Sequence, residues 1–226
     1  MPVFLLTEEA VFPAPHLADE DGIIAVGGDL SPERLIAAYQ AGIFPWYSDN
    51  SPILWWSPDP RLVLLPEEIK VSRSLRRTLE RRIYDTTFDL AFRDVMKHCA
   101  EAPRKDQEGT WITGEMIDAY CRLHDLGLAH SAESWYHGSL VGGLYGVAMG
   151  RIFFGESMFS LRRDASKAAF VTLVRGLSAA GYRLIDCQVR TDHLISLGAR
   201  EVPRSQFLSL LTAYVKMPAP RGPWAD

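Results

Sequence analysis

Two carboxylates and a carboxamide stand where burial is costly unless they are paired or put to use. Glu156 lies inside IFFGESMF, among Phe153, Phe154, Met158 and Phe159. A carboxylate in that company needs a cation or hydrogen-bond donors. Asp186 and Gln188 lie two apart in LIDCQV (184–189), so on a strand both side chains point to one face. Ile185 and Cys187 flank Asp186, which marks the strand as largely buried. Gln has no useful acid–base pKa, so its part is orientation and hydrogen bonding, and proton abstraction or polarisation falls to a carboxylate. Plainer readings stand beside these: Glu156 as a solvent-facing carboxylate or one paired with Arg162 or Arg163, and Asp186 as a cap or an ion-pair residue.

A second chemistry is written in charge. From Lys70 to Arg82 there are six basic residues against one acid, Glu80. Arg73, Arg77 and Arg81 recur every four residues, with Arg76 beside them, offset by two from an apolar row of Val71, Leu75, Leu79 and Ile83. Two residues turn a helix by about 200°, so the basic row faces away from the core. Such a row grips phosphates with little sequence readout; the ordinary alternative is a solvated face. The six histidines show no metal-ligand spacing, and there is no phosphate-binding loop. Neither a metal nor a nucleotide cofactor is expected.

The whole chain of 226 residues is no polycation, with formal net charge −4 and 23% charged residues, so any nucleic-acid contact must come from a local patch. Three widely spaced cysteines (99, 121, 187) argue against a disulfide framework and a zinc cluster and fit a reducing compartment. The start, MPVFLLTEEAVFP, lacks a basic leader region. No apolar run approaches the roughly 20 residues of a membrane span. A soluble, cytoplasmic, monomeric protein without a membrane partner is expected.

The elements that must hold these groups follow from pattern. Ser31, Pro32 and Gly42 bracket one helix. The segment FPWYSDNSPILWWSPDPR that follows is too proline-rich for a regular element, and a small N-terminal domain, 1–65, is expected to end near Leu65. The larger part, 66–226, opens with the basic helix from Val71. Phe88, Phe92, Val95, Met96 and Cys99 predict a second helix, and a third is capped by Thr113 and stopped by Gly127. Antiparallel strands are expected over about 129–136, 139–148 and 151–158, with turns at His137-Gly138 and Met149-Gly150. Asp164 is expected to cap a long helix ending at Gly181, followed by a strand over 184–189 and short helices near 192–197 and 205–215. That order is α+β.

LVGGLYGVAMGRIFFGESMF (140–159), GGDLSPERLIAAYQAGIFPWY (27–47), ILWWSPDPR (53–61), EGTWIT (108–113) and LIDCQV, in this order, resemble the leucyl/phenylalanyl-tRNA–protein transferases. The resemblance covers about 22–203. It implies that the larger domain has the GCN5-related N-acetyltransferase fold. The Arg/Gln-x-x-Gly-x-Gly/Ala turn that holds coenzyme A in those acetyltransferases is missing; LRRDASKAA stands before the long helix. That argues against an acetyl-CoA donor. A tRNA-binding module without catalysis is the other rival.

The reaction the resemblance implies moves Leu, Phe and, less well, Met from aminoacyl-tRNA to acceptor proteins beginning with Arg or Lys, marking them for degradation. Asp186 and Gln188 match a pair proposed to draw a proton from the attacking amine, with substrate-assisted transfer through ribose hydroxyls as the alternative. Glu156 matches a group at the aminoacyl site that hydrogen-bonds the α-amino group. Matching positions put Trp46 and Trp111 at the terminal adenine, with Tyr39 and Tyr120 as neighbours. They put Leu144, Phe153, Met158, Leu173 and Ile185 around the aminoacyl side chain. Leu144 and Leu173 stand where the family leads one to expect Met and Phe. Glu156, Asp186 or Glu133 would supply negative potential for the acceptor's Arg or Lys.

Overall fold

The computed structural model describes residues 3–48, 51–102 and 110–224. Among these the strands form two sheets. The smaller is built from β1 (Phe4–Leu6), β2 (Ile23–Gly27), β3 (Phe44–Pro45) and β4 (Leu54–Trp56), in the order β1-β2-β4-β3. Helix α1 (Pro32–Gln40) lies between β2 and β3, with Ser31 accepting from the Arg34 N–H at its start. Gly42 takes φ +75° just past its end, where a Cβ would strike Phe207 at 2.8 Å. The proline-rich segment therefore does contain regular structure. Short strands are possible there because each needs only two to four residues of pairing, and the prolines stand at their ends or on the sheet edge.

The larger sheet runs β11-β5-β10-β9-β8-β7-β6. Its strands are β5 (Arg61–Leu64), β6 (Asp85–Phe88), β7 (Ala129–Tyr136), β8 (Ser139–Met149), β9 (Ile152–Ser160), β10 (Leu184–Gln188) and β11 (Arg200–Val202). The helices are α2 (Arg73–Glu80), α3 (Phe92–Glu101), α4 (Gly114–Asp125), α5 (Ala165–Ala180), α6 (Asp192–Ser196) and α7 (Arg204–Tyr214). The chain is thus α+β, with a small N-terminal part and a larger C-terminal one. Leu65 lies just past β5, whose residues already pair with β10 and β11. The hydrogen bonding changes sheets between Trp56 and Arg61.

One core joins α1, α3, α4 and α7 to the first face of the larger sheet, with Leu35, Val95, Met116 and Phe207 inside. A second core holds α5 and α2 on the other face through Leu75, Ala169, Leu173 and Leu177. Three sequence expectations need correction. Phe88 ends β6 and does not begin α3, because its side chain belongs to the α5 face of the sheet. Of the row on the basic helix only Leu75 is buried; Ile83 lies past the helix end and is 40% exposed. Asp164 stands at the N-cap position of α5 but its backbone is left-handed (φ +64°) and its carboxylate does not cap; it accepts from Thr78 Oγ1 of α2 at 3.4 Å.

The β7-β8-β9 meander falls where periodicity places it. Between β9 and β10 the pairing is parallel and short, from Ile152 to Phe154 against Leu184 to Asp186. Beyond Phe154 and Asp186 no pairing joins the two strands, and the gap between them opens beside α5. Gly142 on β8 sets how close α5 comes: a Cβ there would lie 2.6 Å from Ala165 Cβ and 2.8 Å from the Ser166 nitrogen. Gly142→Ala is expected to lower stability by about 1–3 kcal/mol through overpacking. Urea denaturation measures it, and a neutral result would show that α5 can move freely.

Candidate active site

The gap between β9 and β10 is a cavity of about 470 Å³. Gly155, Glu156 and Met158 of β9 line it, with Ile185, Cys187 and Gln188 of β10. Leu144 and Phe170 come from β8 and α5, Leu194 from α6, and Trp46 and Trp111 from the segments before β4 and α4. Most of this lining is apolar. Glu156 and Gln188 are the polar pair inside it, each more than nine-tenths buried.

Gln188 is held by local geometry. Asp186 opposes Val63 of β5 and Gln188 opposes Leu62, so Cys187 is an extra residue and the strand bulges. Gln188 itself has φ +61°, a left-handed conformation costing on the order of 1 kcal/mol for a side chain of this kind. The bulge breaks the alternation that would put Asp186 and Gln188 on one face. Asp186 is fully buried and is not part of the cavity wall, whereas Gln188 lines it. The two remain linked, since Asp186 Oδ1 accepts the Gln188 backbone N–H at 2.9 Å.

Asp186 is paired with Arg61. The guanidinium donates to both carboxylate oxygens, Nε to Oδ1 at 2.8 Å and Nη2 to Oδ2 at 2.6 Å, with both side chains out of water. Phe44 and Phe207 cover the guanidinium at 4.7 and 4.6 Å from their ring centres, a cation–π sandwich. Arg61 went unnoticed in sequence because its partner is 125 residues away; the only signal was a lone Arg opening an apolar run, RLVLL.

Glu156 has no cation. Arg162 instead lies over Tyr136 at 3.9 Å and Arg163 is exposed beside Asp164. The Glu156 partners are Tyr39 of α1 (2.8 Å), Tyr120 of α4 (3.2 Å) and Gln188 Nε2 (2.7 Å). The two phenol oxygens also touch each other. These three oxygen–oxygen contacts close a ring that needs three protons, and the two phenols supply only two. In its protonated form the Glu156 carboxyl supplies the third. Burial above all, with the Asp186 charge adding to it, pushes the Glu156 pKa up to about 7, against the opposing pull of Tyr39, Tyr120 and Gln188. Burial and the nearby carboxyl keep both phenols protonated.

Of the residues named from sequence, the cavity wall includes Glu156, Gln188, Trp46, Trp111, Leu144, Met158 and Ile185. Tyr39 and Tyr120 are fully buried behind Glu156 and serve as its hydrogen-bond partners, not as an adenine platform. Phe153 and Leu173 sit in the core between sheet and α5 and do not reach the cavity; Phe170, one turn before Leu173, does. Glu133 is buried against Ser131 and Thr87 and is not on the wall of this cavity. Arg73, Arg76, Arg77 and Arg81 are all exposed on or just after α2, with no carboxylate in ion-pair reach among the described residues. Residues 108 and 109 of EGTWIT lie outside the described residues. Folding also gathers Asp89, His124 and His130, which spacing did not suggest. Their ring nitrogens are engaged with the Ala129 and Gly127 carbonyls and the Asp89 carboxylate, so the cluster is satisfied by its own hydrogen bonds.

A cavity with apolar walls, and a neutral or ionised carboxyl beside a carboxamide at one side, defines a site for a hydrophobic group that carries a hydrogen-bonding head. Comparison with known proteins specifies it. The profile of the family described as Leucyl/phenylalanyl-tRNA protein transferase matches residues 63–212, and that of its N-terminal domain matches 28–59. A protein named leucyl/phenylalanyl-tRNA–protein transferase from Syntrophobacter fumaroxidans is 61% identical over 93% of this chain and 90% of its own length. One of the same name from Myxococcus xanthus is 55% identical over 100% of this chain and 97% of its own. A GCN5-related N-acetyltransferase from Kribbella flavida overlaps at TM-score 0.35 and 12% identity, covering 76% of this chain and 61% of that one, too slight a likeness to argue from. The chain belongs to the leucyl/phenylalanyl-tRNA–protein transferase family. It is an aminoacyltransferase whose substrates are aminoacyl-tRNA and an acceptor protein.

Two measurements test the site's electrostatics. With its folded-state pKa raised from 4.5 to about 7, Glu156 contributes stability that is complete below pH 4.5 and lost as pH rises through 7. Glu156→Gln mimics the protonated carboxyl, so wild type is expected to lose about 3 kcal/mol relative to it between pH 4.5 and 8. Parallel urea-denaturation curves across that range would sink the assignment. Arg61→Met, which strands the Asp186 charge, is expected to cost about 3–5 kcal/mol, and Arg61→Met with Asp186→Leu to recover most of it. Turnover should stay low in the double variant, because Gln188 has lost the acceptor for its N–H. Normal turnover there would separate the ion pair from Gln188.

Proposed function

We propose that this enzyme transfers Leu, Phe and, less well, Met from aminoacyl-tRNA to the N-terminal Arg or Lys of acceptor proteins. We take it to act in the cytoplasm as a monomer, marking those proteins for degradation. Among the described residues no helix is long and apolar enough to cross a membrane. The observation that carries the reading is the Glu156–Gln188 pair inside an apolar cavity. Leu144, Met158, Phe170 and Ile185 suit an apolar side chain that is not branched at Cβ, as in Leu, Met and Phe. Such walls discriminate by size alone, at roughly 1–3 kcal/mol per methylene, and the thioether of Met158 adapts to several shapes.

In this reading Glu156 receives the α-amino group of the aminoacyl moiety. An ammonium brought against it draws the carboxyl into its ionised form. Trp46 and Trp111, half-buried on the cavity wall, stack on the terminal adenine, worth roughly 1–3 kcal/mol per base. The acceptor α-amine has a pKa of roughly 8, so part of it is already neutral near pH 7. Its nitrogen attacks the ester carbonyl, the C–N bond forms, and the bond from carbonyl carbon to ribose oxygen breaks. One proton leaves the nitrogen and one reaches the ribose oxygen.

With Nε2 donating to Glu156, the Gln188 carbonyl oxygen is the end available to accept from the attacking amine. Asp186 is shut from the cavity, so it acts through Gln188 as a positioning residue. The base relay expected of Asp186 is thereby recast as orientation, and the ribose hydroxyls take the larger share of the proton movement. Arg73, Arg76, Arg77 and Arg81 hold phosphates of the tRNA. Of the three acids considered for reading the acceptor's Arg or Lys, Glu156 is the one on the cavity wall.

Transfer of labelled leucine from charged tRNA to a peptide with N-terminal Arg, beside one with N-terminal Ala, tests the reading. Labelling of the Arg peptide alone is expected. Tight, salt-sensitive tRNA binding without transfer would overturn it in favour of a binding module.

A further inference from the structure

The aminoacyl cavity continues into a second one of about 600 Å³, and Ser160, Ser166 and His193 belong to both walls. The lining of the second cavity is polar and carries three cations, Arg162, Arg163 and Lys167, against one carboxylate, Asp164. That carboxylate is turned to Thr78 and Arg163. Lys167 is half-buried, with no carboxylate in ion-pair reach among the described residues. Arg162 is steadied by lying over the Tyr136 ring at 3.9 Å. At the junction, His193 Nε2 is out of water and has no hydrogen-bond partner among the described residues. Burial and the Lys167 charge both disfavour a charged His193 imidazole. On the far side the wall includes Ser74 of α2, the helix that carries the exposed Arg73, Arg76 and Arg77. The second cavity thus lies between α2 and the mouth of the apolar one, with Arg162, Arg163 and Lys167 on its wall.

We propose that this second cavity is a phosphodiester subsite. Lys167 and Arg162 bind the phosphates that join the last nucleotides of the aminoacyl-tRNA 3′ strand, and His193 Nε2 meets the terminal ribose–phosphate at the junction. The assignment rests on the aminoacyl-tRNA reading above and extends it, separating recognition of the 3′ end from that of the distant helical stem by α2. The chemistry is suited to the task. A half-buried Lys without a carboxylate partner and an Arg fixed by an aromatic face form charge-assisted hydrogen bonds to phosphate oxygens, and neither reads base identity.

The test uses three leucyl donors with the Arg peptide as acceptor: the adenosine ester, which has no phosphodiester, the ester of the trinucleotide CCA, and whole charged tRNA. For Lys167→Met and Arg162→Gln, KM for the trinucleotide and the tRNA is expected to rise about tenfold each. Turnover, and KM for the adenosine ester, should stay at wild-type values. Lys167→Arg should restore the trinucleotide KM. The salt dependence of trinucleotide KM should weaken by a slope of about 0.7 per lost phosphate contact. Arg77→Glu with Arg81→Glu should affect only the tRNA. Equal losses on all three donors, or no loss on the trinucleotide, would overturn the subsite. Wild-type enzyme that transfers from none of the three would instead overturn the aminoacyl-tRNA reading itself.

Discussion

The Arg61–Asp186 pair is the interaction on which the rest of the site depends. It ties β5 to β10 with two charge-assisted hydrogen bonds in a place water does not reach. Phe44 comes from the smaller sheet and Phe207 from α7, so the rings that cover the guanidinium join both parts of the chain around it. A buried ion pair of this kind is weak evidence for stability, because desolvation offsets most of its attraction. Its consequence is geometric. With Asp186 fixed at both oxygens, its Oδ1 can also hold the Gln188 N–H, and the bulge at Cys187 is locked with Gln188 in a left-handed conformation. Without the anchor, an extended Gln188 would lie lower in energy and would continue the ladder with β5.

Gln188 then serves as the bridge between two carboxyl groups of opposite character. Asp186 is committed to a guanidinium. Glu156 is met only by neutral donors, two phenols and an amide. Donors without charge recover part of the hydration that a carboxylate loses on burial, and the shortfall appears as a pKa near neutrality. The Asp186 charge adds to the upward push on Glu156. Environment thus separates two chemically similar side chains into one that is paired and shapes the backbone and a titratable one that faces the cavity.

What could be read from the chain was whatever depends on neighbours in sequence. The β7-β8-β9 meander has long alternating strands and glycines at its turns. Ser31 and Thr113 cap the helices they were expected to cap. Glu156 was conspicuous because its apolar context is local. Failures came where distant segments decide. Strands β1, β3, β4, β6 and β11 are two to four residues long, too short for a periodic signal, and exist because a partner strand is already present. Phe170 and Leu173 lie about one turn apart on α5 and look alike in sequence; which one faces the cavity is set by how the helix sits on the sheet. The contact of Tyr39 and Tyr120 with Glu156 could not be seen until α1 and α4 brought their hydroxyls together.

The ring of Glu156, Tyr39 and Tyr120 also answers a problem that an apolar pocket poses. If the walls receive Leu or Phe as proposed, they must be dry to discriminate, and a permanent charge in them would draw in water that competes with the substrate's side chain. In its protonated form, which a pKa of about 7 keeps populated near neutrality, the Glu156 carboxyl removes that charge while keeping its hydrogen bonds internal. When an ammonium arrives, the same group can ionise, because its pKa lies close enough to neutrality for one ion pair to shift it. The energy of forming that pair is then realised only when a cationic head enters together with the side chain. An apolar molecule without an amino group would fill the walls yet leave the ring closed. On the proposed reading, selectivity for an α-amino acid over a plain acyl group would follow from the proton count of three oxygens.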